Sequence, residues 1–346
     1  MTENKQSSGS SSVMPGVVYG FIGLGNMGFG MAKNLRESMP EEAKLLVCDV
    51  NHQRRDEFVS SVTRPVQVAE SPKIIAENCD IVITSLPTSD IVKNVFTDPS
   101  TGLLSIDSAG ASNKSKLFIE TSTIEVDTSN YVRKKVEDSG LGHFIDAPVS
   151  GGIPAAYQGN LTIMVGGDKE LFERAKPVLA SMGKEENIFF CGPPGAGLAT
   201  KQINNYIANV SYVALCEALI TDTSCPGMNT GVRYGLDPKI LADAINRSSG
   251  MCWNSLHMNP VKGVQESSPA SRDFEGGFPT EGAKHVMDMA VQLMDAVGAK
   301  HVMGNVMKDI YERAVNHPKC RGKECRSIYK LFAENDGKDL GNTLIG

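Results

Sequence analysis

Short apolar runs alternate with helix-like segments through the first half of the chain. The apolar runs are Val17–Ile22, Lys44–Val50, Ile81–Leu86, Lys116–Glu120, His143–Ala147, Leu161–Gly166 and Asn187–Cys191. Helical spacing is found between them, in Met27–Ser38, Ile74–Asn78, Tyr131–Ser139 and Lys169–Met182. Continuous apolar runs are typical of strands that are buried on both faces of a parallel sheet. The alternation therefore predicts a doubly wound α/β domain.

The second half of the chain has a different pattern. From Thr200 onward it is mostly helical, with breaks at Pro226, Gly235 and Gly263. The change falls in the glycine- and proline-rich sequence Cys191–Gly197, and 346 residues at about 150 per domain fit two domains. We predict an α/β domain over residues 15–192 and an all-helical domain over residues 193–346. The Ser-rich residues 1–14 predict a disordered tail.

Composition excludes several classes of protein. The chain has 34 Lys and Arg against 40 Asp and Glu, a net charge of −6, which does not favour binding to nucleic acid or an anionic membrane. Eight scattered cysteines in a chain this long favour reduced intracellular thiols. His317, Cys320 and Cys325 have loose metal-like spacing without a fourth nearby ligand, so no metal site is predicted. The first residues show neither an apolar secretory segment nor the arginines of a transit peptide.

The first candidate site is a glycine-rich loop between the first apolar run and the first helical segment. It consists of Gly23, Leu24, Gly25, Asn26, Met27 and Gly28. An acid, Asp49, ends the next apolar run 21 residues beyond Gly28. A strand, a G-x-G-x-x-G turn, a helix and a later acid together indicate a dinucleotide site in a Rossmann-type domain. The pyrophosphate is expected against the backbone at Gly25, at the start of the helix.

The acid also bears on the choice of cofactor. Asp49 can accept hydrogen bonds from both ribose hydroxyls and would repel a 2′-phosphate, which favours NAD over NADP. Arg54 and Arg55 follow closely and leave NADP open as the less favoured alternative.

The second candidate site is Asp146-Ala-Pro-Val-Ser-Gly-Gly152. The Ser150 hydroxyl and the backbone N–H groups of Gly151 and Gly152 could together hold a carboxylate. A plain turn between two strands explains the same residues equally well.

The third candidate site lies on the helix that follows the glycine-rich boundary. Lys201 and Asn205 are four residues apart, with Asn204 between them, so these polar groups can share one helix face. Ile203, Ile207, Val210 and Ala214 predict a buried stripe beside them. Burial would lower the pKa of Lys201 toward neutral pH and suit it for proton transfer. A solvated helix face is the alternative.

The order of these motifs resembles the β-hydroxyacid dehydrogenase family, relatives of 6-phosphogluconate dehydrogenase. Phe21–Leu35 resembles the family's N-terminal signature, Asp146–Gly152 its substrate motif and Gly195–Asn205 its catalytic helix. Blocks in the second half, Ser248–Ser255, Asn259–Val261 and Phe274–Phe278, resemble the branch that oxidises 3-hydroxyisobutyrate in valine breakdown.

The resemblance implies a role for each site. Lys201 is implied as the general acid/base, and the substrate-binding residues are implied to be Ser150, Gly151, Gly152, Asn204 and Asn205. The implied cofactor is NAD, and the residues implied beside it, besides the glycine loop and Asp49, are Leu86, Pro87, Thr123, Phe278 and Lys284. The family implies a homodimer or homotetramer and, for this branch, a mitochondrial location. The substrate would be a small 3-hydroxy acid.

Two departures from the family pattern stand out. His285 occupies the position after Lys284 where the family usually has Asp, and the next acid is Asp288. Thr221–Met228 resembles an insertion into the long helix. Two alternatives remain open at this point: a sibling dehydrogenase or semialdehyde reductase for tartronate or succinic semialdehyde, with NAD or NADP, and a dinucleotide-binding scaffold without turnover.

Overall fold

A computed structural model describes residues 16–106, 115–219, 231 and 234–333 of the chain. The tail predicted at residues 1–14 and the insertion predicted at Thr221–Met228, with Pro226, lie outside these residues. The chain divides into two compact units, Met1–Lys201 and Gln202–Gly346.

The first unit is built on a nine-stranded sheet. Its strands are β1 (Val18–Ile22), β2 (Lys44–Cys48), β3 (Gln67–Val68), β4 (Ile81–Thr84), β5 (Lys116–Glu120), β6 (Gly142–Asp146), β7 (Val149–Ser150), β8 (Leu161–Gly166) and β9 (Gly183–Gly192). Six of them run parallel in the order β3–β2–β1–β4–β5–β6. Beyond β6 the sheet is mixed, since β8 pairs antiparallel with β6 and β7 and parallel with β9. The predicted doubly wound Rossmann-type fold is confirmed.

Helices cover both faces of this sheet. They are α1 (Gly28–Ser38), α2 (His52–Ser61), α3 (Pro72–Asn78), α4 (Ser89–Thr97), α5 (Val126–Ser139), α6 (Gly152–Gln158) and α7 (Lys169–Leu179). Neighbouring residues of one strand enter different apolar clusters: Phe21 lies in one cluster and Ile22 in the other. This double burial explains why the strands are continuous apolar runs rather than alternating ones.

The strand order places the candidate cofactor residues at one edge of the sheet. β1 lies between β2 and β4, and the order of strands along the chain reverses at this point. Ligands of open α/β sheets bind outside the carboxyl ends of the strands at such a reversal. The glycine loop follows β1, Leu86 follows β4 and Thr123 follows β5, so all three lie at this edge.

The second unit is helical over its described residues. The long helix α8 (Ala196–Leu219) begins in the first unit and continues into the second. It is followed by α9 (Pro238–Asn246), α10 (Trp253–His257), α11 (Thr280–Ala296), α12 (Met303–Asn316) and α13 (Tyr329–Ala333), with 3₁₀ turns at Pro269–Arg272 and Cys325–Ile328. Its main core joins Tyr212 and Cys216 of α8 to Met287 and Met307. No helix in the described part of the chain is long and apolar enough to cross a membrane.

The buried stripe predicted on α8 is wrong in part. Ile203 is 50% exposed and Ile207 is 61% exposed, whereas Tyr212 and Val213 are buried. Apolar residues occupy more than one face of this helix, and periodicity alone does not say which face meets the core. Val210 is half-buried and packs against the core of the second unit.

Candidate active site

The glycine loop is held tightly at both ends. A Cβ on Gly23, whose φ is +97°, would lie 2.1 Å from the carbonyl oxygen of Ser85, and a Cβ on Gly28 would lie 1.9 Å from the carbonyl oxygen of Gly23. Neither position has room for a side chain. Gly23 N–H donates to the Cys48 carbonyl at 2.9 Å, which joins the loop to β2. The loop therefore has a fixed path before any ligand arrives.

The middle of the loop is open, in contrast to its ends. A Cβ on Gly25 would meet no atom within 4 Å, and Gly25 and Asn26 are exposed. An exposed backbone at the start of a helix, with space above it, suits a pyrophosphate that must approach closely. These residues therefore fit a dinucleotide. Leu24 is fully buried and Met27 is half-buried, so both fix the loop from beneath.

Asp49 lies directly beside the loop, as its position in the sequence predicts. Its carboxylate accepts the N–H of Leu24 at 2.6 Å and the N–H of Asn51 at 2.8 Å. Arg54 also reaches the loop, because its Nε donates to the Leu24 carbonyl at 2.9 Å and its guanidinium lies 4.3 Å from the Phe29 ring centroid. Arg55 pairs instead with Glu70 at 2.9 Å. Of the two arginines that left NADP open, only Arg54 contacts this loop.

A buried acid joins the two neighbouring loops. Glu120 ends β5 and accepts the Thr84 hydroxyl and the Ser122 N–H, both at 2.6 Å. The Ser122 hydroxyl in turn accepts the N–H of Leu86 at 2.7 Å. Complete burial raises the pKa of Glu120 to about 7. Sequence analysis missed this residue, which links the Leu86–Pro87 segment to the half-buried Thr123 segment.

The Ser150 motif leaves the sheet where a short strand becomes a helix. Ser150 ends β7 and is half-buried, and its hydroxyl has no hydrogen-bond partner among the described residues. Gly151 and Gly152 follow with φ of +136° and +73°, in the left-handed region that favours glycine. Both glycines are exposed. The motif is therefore not a plain turn between strands, because it joins the short strand β7 to helix α6 and leaves both glycines exposed at the start of that helix.

Lys201 is buried, which excludes the alternative of a solvated helix face. Its side chain is 8% exposed, and no described residue offers it a hydrogen bond or ion pair. Desolvation by burial is the cause that lowers the pKa of its ammonium group to about 8. A lysine of ordinary pKa would be neutral in about one molecule in 3,000 at pH 7, whereas a pKa near 8 gives about one in ten. The group can therefore both accept and donate a proton near neutral pH.

The asparagines follow Lys201 on the same helix. Asn205 is half-buried and Asn204 is exposed, and the Asn204 amide donates weakly to the Asn205 side-chain oxygen at 3.4 Å. Four residues separate Lys201 from Asn205, a spacing that brings two side chains to one helix face. Both residues lie on α8, and Asn204 is the more exposed of the two asparagines. The shared face of Lys201 and Asn205 stays a prediction.

Phe278 and Lys284 belong to the second unit. Phe278 is 50% exposed just before α11. Lys284 forms ion pairs with Asp288 at 2.8 Å and Glu312 at 3.2 Å, and the hydrogen bond to Asp288 raises its pKa. His285 is exposed on the same helix. The acid that the family places directly after this lysine is thus replaced, one helical turn later, by Asp288.

Comparison with known proteins agrees with the geometry. The NAD binding domain of 6-phosphogluconate dehydrogenase matches residues 18–192, and the NAD-binding domain of NADP-dependent 3-hydroxyisobutyrate dehydrogenase matches residues 195–332. The mitochondrial 3-hydroxyisobutyrate dehydrogenase of Homo sapiens is 36% identical over 94% of this chain and 90% of its own length. The chain belongs to the β-hydroxyacid dehydrogenase family. The mitochondrial 3-hydroxyisobutyrate dehydrogenase of Drosophila melanogaster is 38% identical over 85% of this chain and 82% of its own length.

A solved structure extends this result to the fold. The 3-hydroxyisobutyrate dehydrogenase of Mycobacterium tuberculosis, determined with L-serine, has a TM-score of 0.77 and 32% identity over 91% of this chain and 98% of that one. Membership of the family makes this chain an NAD-dependent oxidoreductase and accounts for the order of its three motifs. Among the described residues there is no group of three or more His, Cys, Asp or Glu side chains that could hold a metal ion.

Proposed function

We propose that this β-hydroxyacid dehydrogenase oxidises 3-hydroxyisobutyrate to methylmalonate semialdehyde, with Lys201 as the general acid/base. The observation that carries the proposal is the burial of a lysine whose pKa lies near 8 and which has no partner among the described residues, on the helix that resembles the family's catalytic helix. The names of the relatives, 3-hydroxyisobutyrate dehydrogenases of animals and of Mycobacterium tuberculosis, support the choice of substrate.

Each residue of the site has its own role in the proposed reaction. NAD, held by the open backbone at Gly25 and by Asp49, supplies the hydride acceptor. Neutral Lys201 takes the proton of the substrate hydroxyl at its Nζ, as the carbinol C–H bond breaks and the C=O bond forms. The charged ammonium returns that proton in the reverse reaction. The Ser150 hydroxyl, with the N–H groups of Gly151 and Gly152, anchors the substrate carboxylate, and Asn205 orients the substrate and Lys201.

The remaining cofactor contacts are proposed from the family resemblance. Leu86, Pro87 and Thr123 flank the cofactor from the loops that follow β4 and β5. Phe278 and Lys284 are proposed as cofactor residues on the same ground, and Asp288 and Glu312 hold the ammonium group of Lys284.

Assembly and location are further parts of the proposal. A homodimer or homotetramer is supported by the exposed isoleucines of α8, Ile203 and Ile207. A mitochondrial location is supported by the names of the relatives, which are mitochondrial enzymes. Subcellular fractionation of cells that produce the full chain tests the location, and recovery in the cytosolic fraction contradicts it.

Lys201→Met tests the catalytic assignment, since Met keeps the length of the side chain without the proton. We expect loss of at least about a thousandfold in kcat with NAD binding retained, because no described neighbour can replace the lysine. The wild-type kcat/KM for oxidation should rise with pH and level off above about 8, where Lys201 is neutral. Lys176→Met removes a half-buried lysine that pairs with Glu185 and should leave the rate unchanged. Full turnover by the Lys201 variant would refute the assignment.

Initial rates with 3-hydroxyisobutyrate, 3-hydroxypropionate, glycerate and 4-hydroxybutyrate, each with NAD and NADP, test the substrate and the cofactor. We expect the highest kcat/KM for 3-hydroxyisobutyrate with NAD. Preference for another acid indicates a sibling dehydrogenase with the same Lys201 chemistry. Binding of NAD without turnover of any acid indicates the alternative function, a dinucleotide-binding scaffold that is not an enzyme.

A further inference from the structure

Asp146 is a buried carboxylate that the mechanism above does not use. It ends β6, and the residue is 1% exposed. No described residue forms an ion pair with it. Burial raises its pKa, and backbone N–H groups oppose that effect by hydrogen bonding to the charged form. A carboxylate buried without a counter-charge is costly unless every oxygen is hydrogen-bonded, so the hydrogen-bond donors around Asp146 must account for its burial.

Both oxygens of Asp146 are used by the start of α8. Oδ1 accepts the N–H of Gly195 at 2.7 Å, and Oδ2 accepts the N–H of Leu198 at 2.9 Å. The first N–H groups of a helix have no partner within the helix. Asp146 therefore caps α8 from another element, 49 residues away in sequence, and its negative charge lies at the positive end of the helix dipole.

Glycines on both sides make this close contact possible. A Cβ on Gly197, in the first turn of α8, would lie 2.3 Å from the carbonyl oxygen of Met164 in β8 and 2.8 Å from Asp146 Oδ2. A Cβ on Gly166, at the end of β8, would lie 2.6 Å from Asp146 Oδ1 and 2.7 Å from the backbone nitrogen of Gly197. The helix can thus approach the sheet to backbone contact distance, and the carboxylate fixes where its first turn lies.

The same residue begins the segment that ends in Ser150. The Pro148 carbonyl accepts the N–H of Met164 at 3.1 Å, and Ser150 pairs with Thr162 of β8. The segment from Asp146 to Ser150 is therefore fixed to β8. Lys201 lies three residues beyond Leu198 on the capped helix. Asp146 is consequently joined both to the helix that carries the proposed base, Lys201, and to the segment that carries the proposed carboxylate anchor, Ser150.

We infer that Asp146 is a positioning residue of the reaction, whose carboxylate fastens the first turn of α8 to the sheet and so fixes Lys201 relative to Ser150. The inference rests on the proposed role of Lys201. Asp146 does not act as a counter-charge, because desolvation alone lowers the pKa of Lys201. It acts through the position of the helix, which keeps Lys201 shielded from water.

Asp146→Asn tests the inference sharply. An Asn side chain has one acceptor oxygen, so either Gly195 or Leu198 would face its NH₂ group donor to donor. We expect kcat to fall at least tenfold while the Kd for NAD changes less than twofold. We also expect the pKa in the pH profile of kcat/KM to rise from about 8 toward 10.5, because a loosened helix admits water to Lys201.

Asp80→Asn is the matched control. Asp80 Oδ2 accepts the N–H of Val18 at 2.9 Å at the opposite, amino edge of the same sheet. The control makes the same chemical change, so it should reduce stability without moving the pH profile. Equal shifts of the pH profile in Asp146→Asn and Asp80→Asn would mean that Asp146 has only a structural role, and would overturn the inference. A wild-type kcat together with a wild-type pH profile in Asp146→Asn would also overturn it.

A second variant covers failure of Asp146→Asn to fold. Gly197→Ala keeps the carboxylate, but its methyl group would press on the Met164 carbonyl oxygen of β8 and on Asp146 Oδ2 and so push the first turn of α8 away from both. The same upward shift of the kinetic pKa is therefore expected. A wild-type profile in folded Gly197→Ala contradicts the inference. The Lys201→Met result separates this inference from the proposed function. If Lys201→Met turns over normally, the assignment of Lys201 as general acid/base fails. If Lys201→Met is impaired and Asp146→Asn is not, only the positioning role of Asp146 fails.

Discussion

At the scale of single residues, two glycines of one motif have opposite surroundings. Gly28 is pressed against the Gly23 carbonyl, and Gly25 opens onto free space. One glycine therefore serves packing and the other serves the ligand, although G-x-G-x-x-G shows both as the same letter.

This difference predicts that substitution of Gly28 lowers the stability of the protein, whereas substitution of Gly25 lowers its affinity for NAD. Gly25→Ala should change the free energy of unfolding by less than about 0.5 kcal/mol and weaken NAD binding by at least about tenfold, because its methyl group occupies space that the pyrophosphate needs. Gly28→Ala should destabilise the protein by about 1–3 kcal/mol or more through overpacking. Urea unfolding and calorimetric NAD titration of both variants measure the two effects. Equal destabilisation by both substitutions would contradict the assignment of Gly25 to the ligand.

Residue roles that depend on local sequence could be predicted, and those that depend on distant partners could not. The glycine loop and Asp49 were predicted because spacing within one βαβ unit fixes their relation. Glu120 was missed and Asp146 received no role of its own. Their decisive partners, Thr84 and Gly195, lie 36 and 49 residues away. Nothing in local periodicity reveals a bond of that span.

At the scale of elements, α8 presents apolar side chains to solvent. Ile203 and Ile207 lie one turn apart and are at least half exposed. Scattered exposed apolar residues are common, but two on adjacent turns of a long helix favour an association surface.

Charge on this face should prevent self-association. The wild-type chain should elute as a dimer or tetramer in size-exclusion chromatography with light scattering. The double variant Ile203→Asp, Ile207→Asp should weaken association by at least about tenfold, since two apolar contacts are replaced by charges. Val297→Asp changes a 70% exposed valine in the second unit and should leave the mass unchanged. A monomeric wild type, or a double variant of unchanged mass, contradicts the proposal.

Element prediction succeeded where burial is strong and failed where elements are short or polar. Leu161–Gly166 and Lys116–Glu120 were predicted at their observed bounds, because both are continuous apolar strands. The two-residue strand β7 is too short for any period to appear. Helix α2 was missed because only Arg55 and Phe58 of its ten residues are buried, so its apolar stripe is nearly absent.

At the scale of the whole molecule, two buried ionisable groups shape the dependence of stability on pH. The pKa of Glu120 is raised to about 7, so the folded state binds more protons than the unfolded state above about pH 4.5, and stability falls as pH rises toward 7. The pKa of Lys201 is lowered to about 8, so the unfolded state binds more protons above pH 8, and stability rises from there toward 10.5.

Together, Glu120 and Lys201 predict that their combined contribution to the free energy of unfolding is smallest between about pH 7 and 8. Glu120→Gln should be more stable than wild type above pH 7, by up to about 3 kcal/mol, and the difference should vanish below pH 4.5. Lys201→Met should be more stable below pH 8 by a similar amount, and the difference should vanish above pH 10.5. Urea titrations across this range measure both differences. Differences that do not vary with pH would refute the assigned pKa values.

The burial of Lys201 has a consequence for anyone who evolves this enzyme in the laboratory. A library screened for heat resistance alone rewards any substitution that removes a buried charge with no ion-pair partner among the described residues. Variants without Lys201 would therefore be among the first to be enriched, and they would be inactive. Screens for robust forms of this protein must score turnover in every round, because at this position heat resistance and activity select opposite side chains.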